Sequence, residues 1–163
     1  MPKISEKKYQ GVILYLAHKL GGEIKGKKKL AKLLYFVDFD FFEKFQKSIT
    51  GDVYKALPMG PFPVTMEKVI AGMANEKKIV IKLEKERTDY NPTEIYRAKE
   101  KPEVIFSKDE QEILDRVVLK YGHLTGKQLE DLTHAEAPYI GTALNQEIAY
   151  ELAFYRGTNL EDA

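Results

Sequence analysis

The chain has 163 residues, contains no cysteine and carries a formal net charge of +1 at pH 7. This length suits one domain with a proper hydrophobic core, and the missing cysteines exclude disulfides, thiolate metal sites and a cysteine nucleophile. Residues 1–6 contain no apolar segment typical of a secretory signal, and the thiol-free composition fits a reducing compartment. We therefore expect a cytoplasmic protein.

Charge is distributed unevenly along the chain. Residues 1–47 hold 11 lysines and 5 acidic residues, whereas residues 103–163 hold 5 basic and 12 acidic residues. This asymmetry indicates either that the two ends attract each other in the fold or that opposite faces bind two different partners.

Two helices are predicted in the first 45 residues, joined by a short loop at residues 23–27. Ser5 can cap the first helix, and Gly21 ends it. The second helix, residues 28–45, carries leucine and valine on one face and aromatic rings on the nearly opposite face. A helix that is apolar on two sides must be covered on both, so we expect it to be the central element. It is too short and too charged to span a membrane.

Prolines dominate residues 58–63, which follow a short extended segment at residues 53–57. Each proline fixes its own φ and disfavours the helical conformation in the residue before it. Gly60 is expected to be extended or to have a positive φ. The pattern predicts a rigid, ordered loop, after which a third helix starts at Pro63 or Val64.

A β-hairpin is predicted by residues 77–83 and 93–98, joined by a charged tip at residues 84–92. The first of these segments alternates apolar and polar side chains, as a half-buried strand does. The same pattern fits a wing, so a winged-helix protein stays an open alternative.

Two capping boxes predict helices that begin after Ser107 and Thr125. Pro138 interrupts the helical pattern, and a last helix through Leu152 is ended by Gly157. The sequence therefore predicts a mainly α fold: a single helical domain spanning the whole chain, built around the central apolar helix, with a small β-hairpin insertion.

Motifs in a fixed order carry a resemblance to a known family. They are Lys-Leu-x-Lys-Leu-Leu-Tyr-Phe at residues 29–36, Ile-Thr-Gly-Asp at 49–52, Tyr-x-Ala-Leu-Pro-x-Gly-Pro at 54–61, and Leu-Thr-His-x-Glu-x-Pro-Tyr at 132–139. In this order and at these distances they resemble the Panacea domain of the SocA-like antitoxins, a family that includes phage-associated proteins. The resemblance spans roughly residues 8–155.

The resemblance implies a mostly helical domain with a small β element. It also implies an antitoxin that neutralises a cognate toxin protein by direct contact, without catalysis and without a cofactor. Some relatives act as proteolytic adaptors, so a ClpXP-type protease is implied as a second partner in that case.

Partner contacts are expected where the chain is rigid and is not needed for the core. Two motif segments, residues 58–63 and 133–139, meet this condition because prolines restrict them before any partner arrives. The predicted contact residues are Met59, Gly60, Pro61, Phe62, His134, Glu136 and Tyr139. The alternative is that the rings and the thioether in these segments only close the core.

A hydrolase is the second alternative, because a histidine and a carboxylate can perform acid–base work. His134 and Glu136 are the candidates, but no serine elbow or second histidine stands near them in the sequence. The structural interpretation is that the Thr133 and His134 side chains bond loop backbone.

The main alternative is a DNA-binding regulator that uses the predicted hairpin and the basic N-terminal segment, since residues 25–32 form the densest basic segment. This segment contains no arginine, which is a favoured base-reading residue, so it argues against nucleic acid as a partner. Lysines at a helix N-terminus oppose the helix dipole, which indicates that an acidic group lies near them. Asp38 and Asp40 lie about 200° apart on the helix and cannot grip one metal ion unaided; we expect a polar edge with buried ion pairs.

Overall fold

The computed structural model describes residues 4–85, 92–157 and 160. Its helices are α1 (Glu6–Lys19), α2 (Lys27–Phe45), α3 (Met66–Asn75), α4 (Lys108–Tyr121), α5 (Gly126–His134), the single turn α6 (Ala137–Ile140) and the 3-10 helix η1 (Tyr150–Tyr155). No helix in this part of the chain is long and apolar enough to cross a bilayer.

The described residues form five strands in two separate sheets. They are β1 (Glu23–Lys25), β2 (Tyr54–Leu57), β3 (Gly60–Pro63), β4 (Ile79–Glu84) and β5 (Thr93–Ala98). Strand β5 lies between β1 and β4 in an antiparallel three-stranded sheet, and β2 pairs with β3 in a hairpin. The prediction of a mainly α fold with one β-hairpin is therefore wrong, because the chain has a mixed α/β fold.

Two segments predicted as loops account for this correction. Residues 23–27 contain β1, whose three residues pair with one edge of β5. Residues 58–63 contain β3, whose Gly60 pairs with Leu57 of β2 across a two-residue turn. Neither strand shows alternation in the sequence, since β1 is very short and β3 is half proline. Pairing with neighbouring chain, rather than propensity, forms both strands.

The predicted hairpin of residues 77–83 and 93–98 is confirmed as β4 and β5, which pair from Ile79 with Ala98 to Glu84 with Thr93. Residues 86–91 of its predicted charged tip lie outside the described residues. The capping boxes at Ser107 and Thr125 are both formed, with side chain and backbone bonded reciprocally. These predictions are correct because each rests on a short local pattern, four residues for a capping box and six for a strand.

Helix α2 is the buried helix that the sequence predicts. Every residue from 30 to 41 is buried, including the charged ones. Helices α4 and α5, strand β3 and η1 all contact it, together with β1 and β5. The Phe36 ring stacks on Tyr121 of α4 at a centroid distance of 3.8 Å, and the Phe39 ring stacks on Tyr150 of η1 at 4.6 Å. The aromatic face of the helix is thus covered.

The C-terminal part differs from its prediction. The expected last helix is divided into α6, which starts with Pro138 near its N-terminus, and η1. Between them, residues 145–148 run beside β2: the Asn145 and Ile148 amides donate to Ala56 and Tyr54 carbonyls at 2.7 and 2.8 Å. Residues that would continue the predicted last helix pair with β2 instead, which explains why only the short helices α6 and η1 form.

Leu34→Ala tests the assignment of the core. Leu34 is fully buried on α2, so the substitution should lower the free energy of unfolding by about 2–5 kcal/mol. Leu119 is 69% exposed on α4, and Leu119→Ala should change it by less than about 0.5 kcal/mol. Urea denaturation of both variants measures the difference. Equal effects would contradict a core centred on α2.

Candidate functional site

The motif segments that are far apart in the sequence meet on the N-terminal half of α2. The β2–β3 hairpin, α5 and α2 contact one another, and α6 follows α5 after two residues. We call the hairpin residues 56–62 together with residues 132–140 the motif corner. Tyr139 and the close approach of Gly60 to Thr133 join the two segments of this corner, and Lys32 and Tyr35 tie them to α2.

Lys32 lies beneath the motif corner and is only 2% exposed. Its ammonium Nζ donates a hydrogen bond to the Pro61 carbonyl oxygen at 3.0 Å. Burial lowers the pKa of Lys32 to about 8, although the nearby Glu130 carboxylate opposes this shift. Burying a charged amine costs free energy, and the hydrogen bond to β3 offsets part of this cost. The same bond ties the hairpin to α2.

Gly60 permits the closest approach within the corner. Its φ is +112°, which side chains rarely allow. A Cβ at this position would lie 2.8 Å from Lys32 Cε and 3.0 Å from Thr133 Oγ1. Any larger residue would push the hairpin away from α2 and α5. The Gly-Pro motif is therefore explained by sterics, with Thr133 Oγ1 itself bonded to the Glu130 carbonyl at 3.0 Å.

Tyr139 joins α6 to the hairpin. Its hydroxyl donates to the Leu57 carbonyl at 2.6 Å, and its ring lies 4.5 Å from the His134 ring. The structural interpretation of the Thr133–His134 pair is half right. Thr133 bonds backbone, but the buried His134 Nε2 has no hydrogen-bond partner among the described residues. His134 therefore contributes packing against Tyr139 rather than a backbone bond through that nitrogen.

Glu136 is bonded to α2 rather than to His134. Its Oε1 accepts a hydrogen bond from the Tyr35 hydroxyl at 2.7 Å and pairs with Arg156 Nη1 at 3.4 Å. Burial raises the pKa of Glu136, and the Arg156 charge opposes this effect. Within residues 4–85 and 92–157, no hydrogen bond joins His134 to Glu136, so the two side chains do not form an acid–base pair.

Arg156 connects Glu136 to the second acidic position of α2. Its side chain is fully buried, and Nη2 lies 2.7 Å from Asp40 Oδ1 and 2.8 Å from Glu43 Oε1. Arg116 of α4 also pairs with Asp40, at 2.9 Å. Burial raises the pKa of Asp40, opposed chiefly by Arg156. The expected buried ion pair is confirmed for Asp40, but no sequence pattern indicates its partners, which are distant in the chain.

Asp38 is satisfied by hydrogen bonds instead of a cation. It accepts from the Ile49 and Thr50 amides, each at 2.9 Å, and from the Tyr54 hydroxyl at 2.6 Å. Complete burial raises its pKa to about 6, against the effect of these donors. The Ile-Thr-Gly-Asp motif thus forms the loop that covers Asp38 and leads into β2.

The basic segment is largely paired with carboxylates of the same chain. Lys25, Lys27 and Lys28 pair with Glu84, Glu67 and Glu130 at 2.6, 3.2 and 2.6 Å. Lys29 Nζ donates to the Gly122 carbonyl at 2.7 Å. The predicted acidic neighbour of this helix start is confirmed by Glu130, which belongs to the acidic C-terminal part of the chain.

The predicted contact residues differ in exposure. Met59 is 60% exposed at the hairpin turn. Gly60 and Pro61 are buried, whereas the remaining four are partly buried: Phe62, His134, Glu136 and Tyr139. Four large apolar side chains in this corner or in the chain that follows it are exposed but are not among the predicted contact residues: Ile140, Leu144, Phe154 and Tyr155. Their exposure depends on tertiary packing, which the helical pattern of residues 140–155 does not reveal.

Lys32→Met tests the buried amine at the site. The pKa of Lys32 is lowered from 10.5 to about 8, so between these values the folded state binds fewer protons than the unfolded state. The wild type should therefore gain stability relative to Lys32→Met as the pH rises from 8 to 10. Urea denaturation across this range measures the difference. Lys68→Met, on the exposed face of α3, controls for the loss of one positive charge; a constant difference for Lys32→Met would contradict the lowered pKa.

Comparison with known proteins is consistent with these motifs. The family model described as antitoxin SocA-like, Panacea domain, matches residues 30–139, which include α2 from Leu30 onward and the whole motif corner except Ile140. No curated protein and no solved structure gives a significant match. Because the family model covers more than half of the chain, the chain belongs to the family of SocA-like antitoxins that carry the Panacea domain.

Proposed function

We propose that this protein is an antitoxin that neutralises a cognate toxin by direct, non-catalytic contact through the motif corner. Membership of the antitoxin family supports an antitoxin-like role. The observation that carries the location is the convergence of the family's motifs on one corner, tied to α2 by Lys32 and by Tyr35. The contact residues are the seven that the sequence predicts, with Met59 as the exposed anchor.

Exposed apolar side chains support this location. The described residues include twelve large hydrophobic side chains classed as exposed, and six of them belong to the motif corner or to the chain that follows it. These six are Met59, Leu132, Ile140, Leu144, Phe154 and Tyr155. Backbone bonds from Asn145 to Ala56 and the Tyr139–Leu57 bond bring the hairpin, α6 and the following loop together. Exposed apolar side chains concentrated in this way are typical of protein–protein interfaces.

The corner is also organised before a partner arrives. A part-buried hydrogen bond at 2.6 Å fixes the hairpin to α6, and a buried one at 3.0 Å fixes it to α2. Its turn is restricted by Pro58 and by two prolines in β3. Little conformational entropy is then lost on binding, which raises affinity for a given contact area. A methionine at the tip can adapt to the shape of a partner's pocket.

Delivery of the toxin to a ClpXP-type protease is the second form of this function. Neutralisation by contact alone and delivery both need the same surface, but only delivery needs the protease. Rescue of toxin-expressing cells that persists in a host lacking ClpX would favour contact alone.

A DNA-binding regulator is favoured by one observation. The order α1, β1, α2, α3, β4, β5, with β1 paired to β5, is the connectivity of a winged helix with the β2–β3 hairpin inserted before α3. The charges oppose this function, because Glu67 of α3 and Glu84 of β4 neutralise two lysines of the basic segment. Salt-dependent binding of the purified protein to random duplex DNA would favour the regulator.

A growth-rescue experiment tests the proposed function. The chain is co-expressed with the small protein encoded by the adjacent reading frame, whose expression alone should stop growth. Wild type should restore growth, and Met59→Asp should abolish the rescue because it places a charge in the contact. A His134→Ala variant that still folds and binds its partner should retain rescue, because the proposed contact is not catalytic.

Leu83→Ala is the matched control, since Leu83 is 65% exposed on β4 of the other sheet. This variant should rescue like the wild type. Loss of rescue in His134→Ala, in a protein that still folds and binds its partner, would instead reveal catalysis and would contradict the proposal. Full rescue by Met59→Asp would remove the motif corner as the contact surface.

A further inference from the structure

The 3-10 helix η1 carries two aromatic side chains that the core does not cover. Tyr150 and Ala153 point inward, where Ala153 is fully buried and the Tyr150 ring stacks on Phe39 at 4.6 Å. Phe154 is 48% exposed and Tyr155 is 75% exposed. Leaving the rings of two consecutive residues exposed gives up burial that would stabilise the fold, and exposed apolar side chains are typical of surfaces that contact a partner.

The geometry of η1 divides its outer surface into two faces. A 3-10 helix has three residues per turn, so side chains three positions apart lie one above the other. Glu151 therefore shares a face with Phe154, and Leu152 shares a face with Tyr155. Glu151 is exposed and has no ion pair within the described part of the chain.

Both faces border structure that belongs to the proposed contact surface or to α2. A Cβ on Gly141, at the end of α6, would lie 3.5 Å from Leu152 Cδ1, so the Leu152–Tyr155 face adjoins α6. The Phe154 ring lies 5.6 Å from the Phe42 ring, so the other face adjoins the C-terminal half of α2. Helix η1 thus extends the surface that begins at the motif corner.

Arg156 fixes these rings relative to the corner. It directly follows Tyr155, and its fully buried guanidinium pairs with carboxylates of Asp40, Glu43 and Glu136. Asp40 and Glu43 belong to α2, whereas Glu136 belongs to the motif corner. A planar fork held by three carboxylates restricts the chain more than a single surface ion pair would.

We propose that η1 is a second part of the toxin-binding surface, with Phe154 and Tyr155 as specificity-determining contacts and Arg156 as their positioning residue. This inference rests on the proposed function and extends it beyond residues 30–139, the segment that the family model matches. Aromatic side chains are enriched among residues that dominate binding energy. The complementary toxin surface has apolar pockets for two rings and a basic side chain facing Glu151.

Affinity measurements test the two rings. Binding of purified wild type, Phe154→Ala and Tyr155→Ala to the adjacent-frame protein is measured by calorimetry. Each substitution should raise Kd about tenfold or more. Tyr155→Ala should leave Tm unchanged because that ring is 75% exposed, whereas Phe154→Ala should lower Tm slightly because its ring also packs on Phe42. Leu83→Ala removes an equally exposed apolar side chain elsewhere and should leave Kd unchanged. Glu151→Lys should slow association, and the slowing should diminish at high salt.

A double-mutant cycle tests the role of Arg156. Arg156→Lys keeps the charge but loses the fork, so it should weaken binding by releasing the rings. If Arg156 acts through Phe154, the Arg156→Lys/Phe154→Ala double variant should bind little worse than Phe154→Ala alone. Fully additive losses would overturn the positioning role. Ring variants with wild-type Kd, while Met59→Asp still loses binding, would overturn the inference and leave the proposed function standing. A wild type that fails to bind would overturn both.

Discussion

The fold depends on one constraint: three charged side chains project from the part of α2 that is buried on every side. Lys32, Asp38 and Asp40 all project from α2, and each is at most 2% exposed. An unpaired buried charge is too costly for a marginally stable fold, so each of the three must find partners. Each finds them in a different part of the chain, and this assigns the surrounding elements their places.

The three solutions differ chemically. Lys32 bonds a carbonyl of β3 and so fixes the hairpin. Asp38 collects backbone amides and hydroxyls of the loop before β2. Asp40 takes two arginines, one from α4 and one that follows η1. The family's Tyr-x-Ala-Leu-Pro-x-Gly-Pro motif provides the carbonyl that Lys32 bonds, and its Ile-Thr-Gly-Asp motif provides amides that Asp38 bonds. Short polar motifs therefore accompany a helix whose own sequence is largely apolar.

The sequence predicted what depends on local chemistry. The helix at residues 28–45, the hairpin at 77–98 and both capping boxes follow from spacing and from side-chain–backbone competition within a few residues. It did not predict β1 and β3, because these strands exist only through pairing with β5 and β2. For the same reason the overall class was wrong, and Arg116 and Arg156 were missed as partners of Asp40. A periodic pattern identifies a polar position in a core but not the distant residue that pairs with it.

At the site, one set of residues makes the chain rigid and another set is available to contact a partner. The residues that make the motif corner rigid are buried, such as Gly60 and Lys32, and any substitution there changes the fold before it changes a contact. The residues that can touch a partner are exposed, such as Met59 and Tyr155, and no packing requirement of this chain fixes their identity. Specificity can therefore change at the exposed positions while the buried charges keep the scaffold unchanged. An exposed side chain can therefore be replaced without changing the fold, which suits the proposed binding of a toxin.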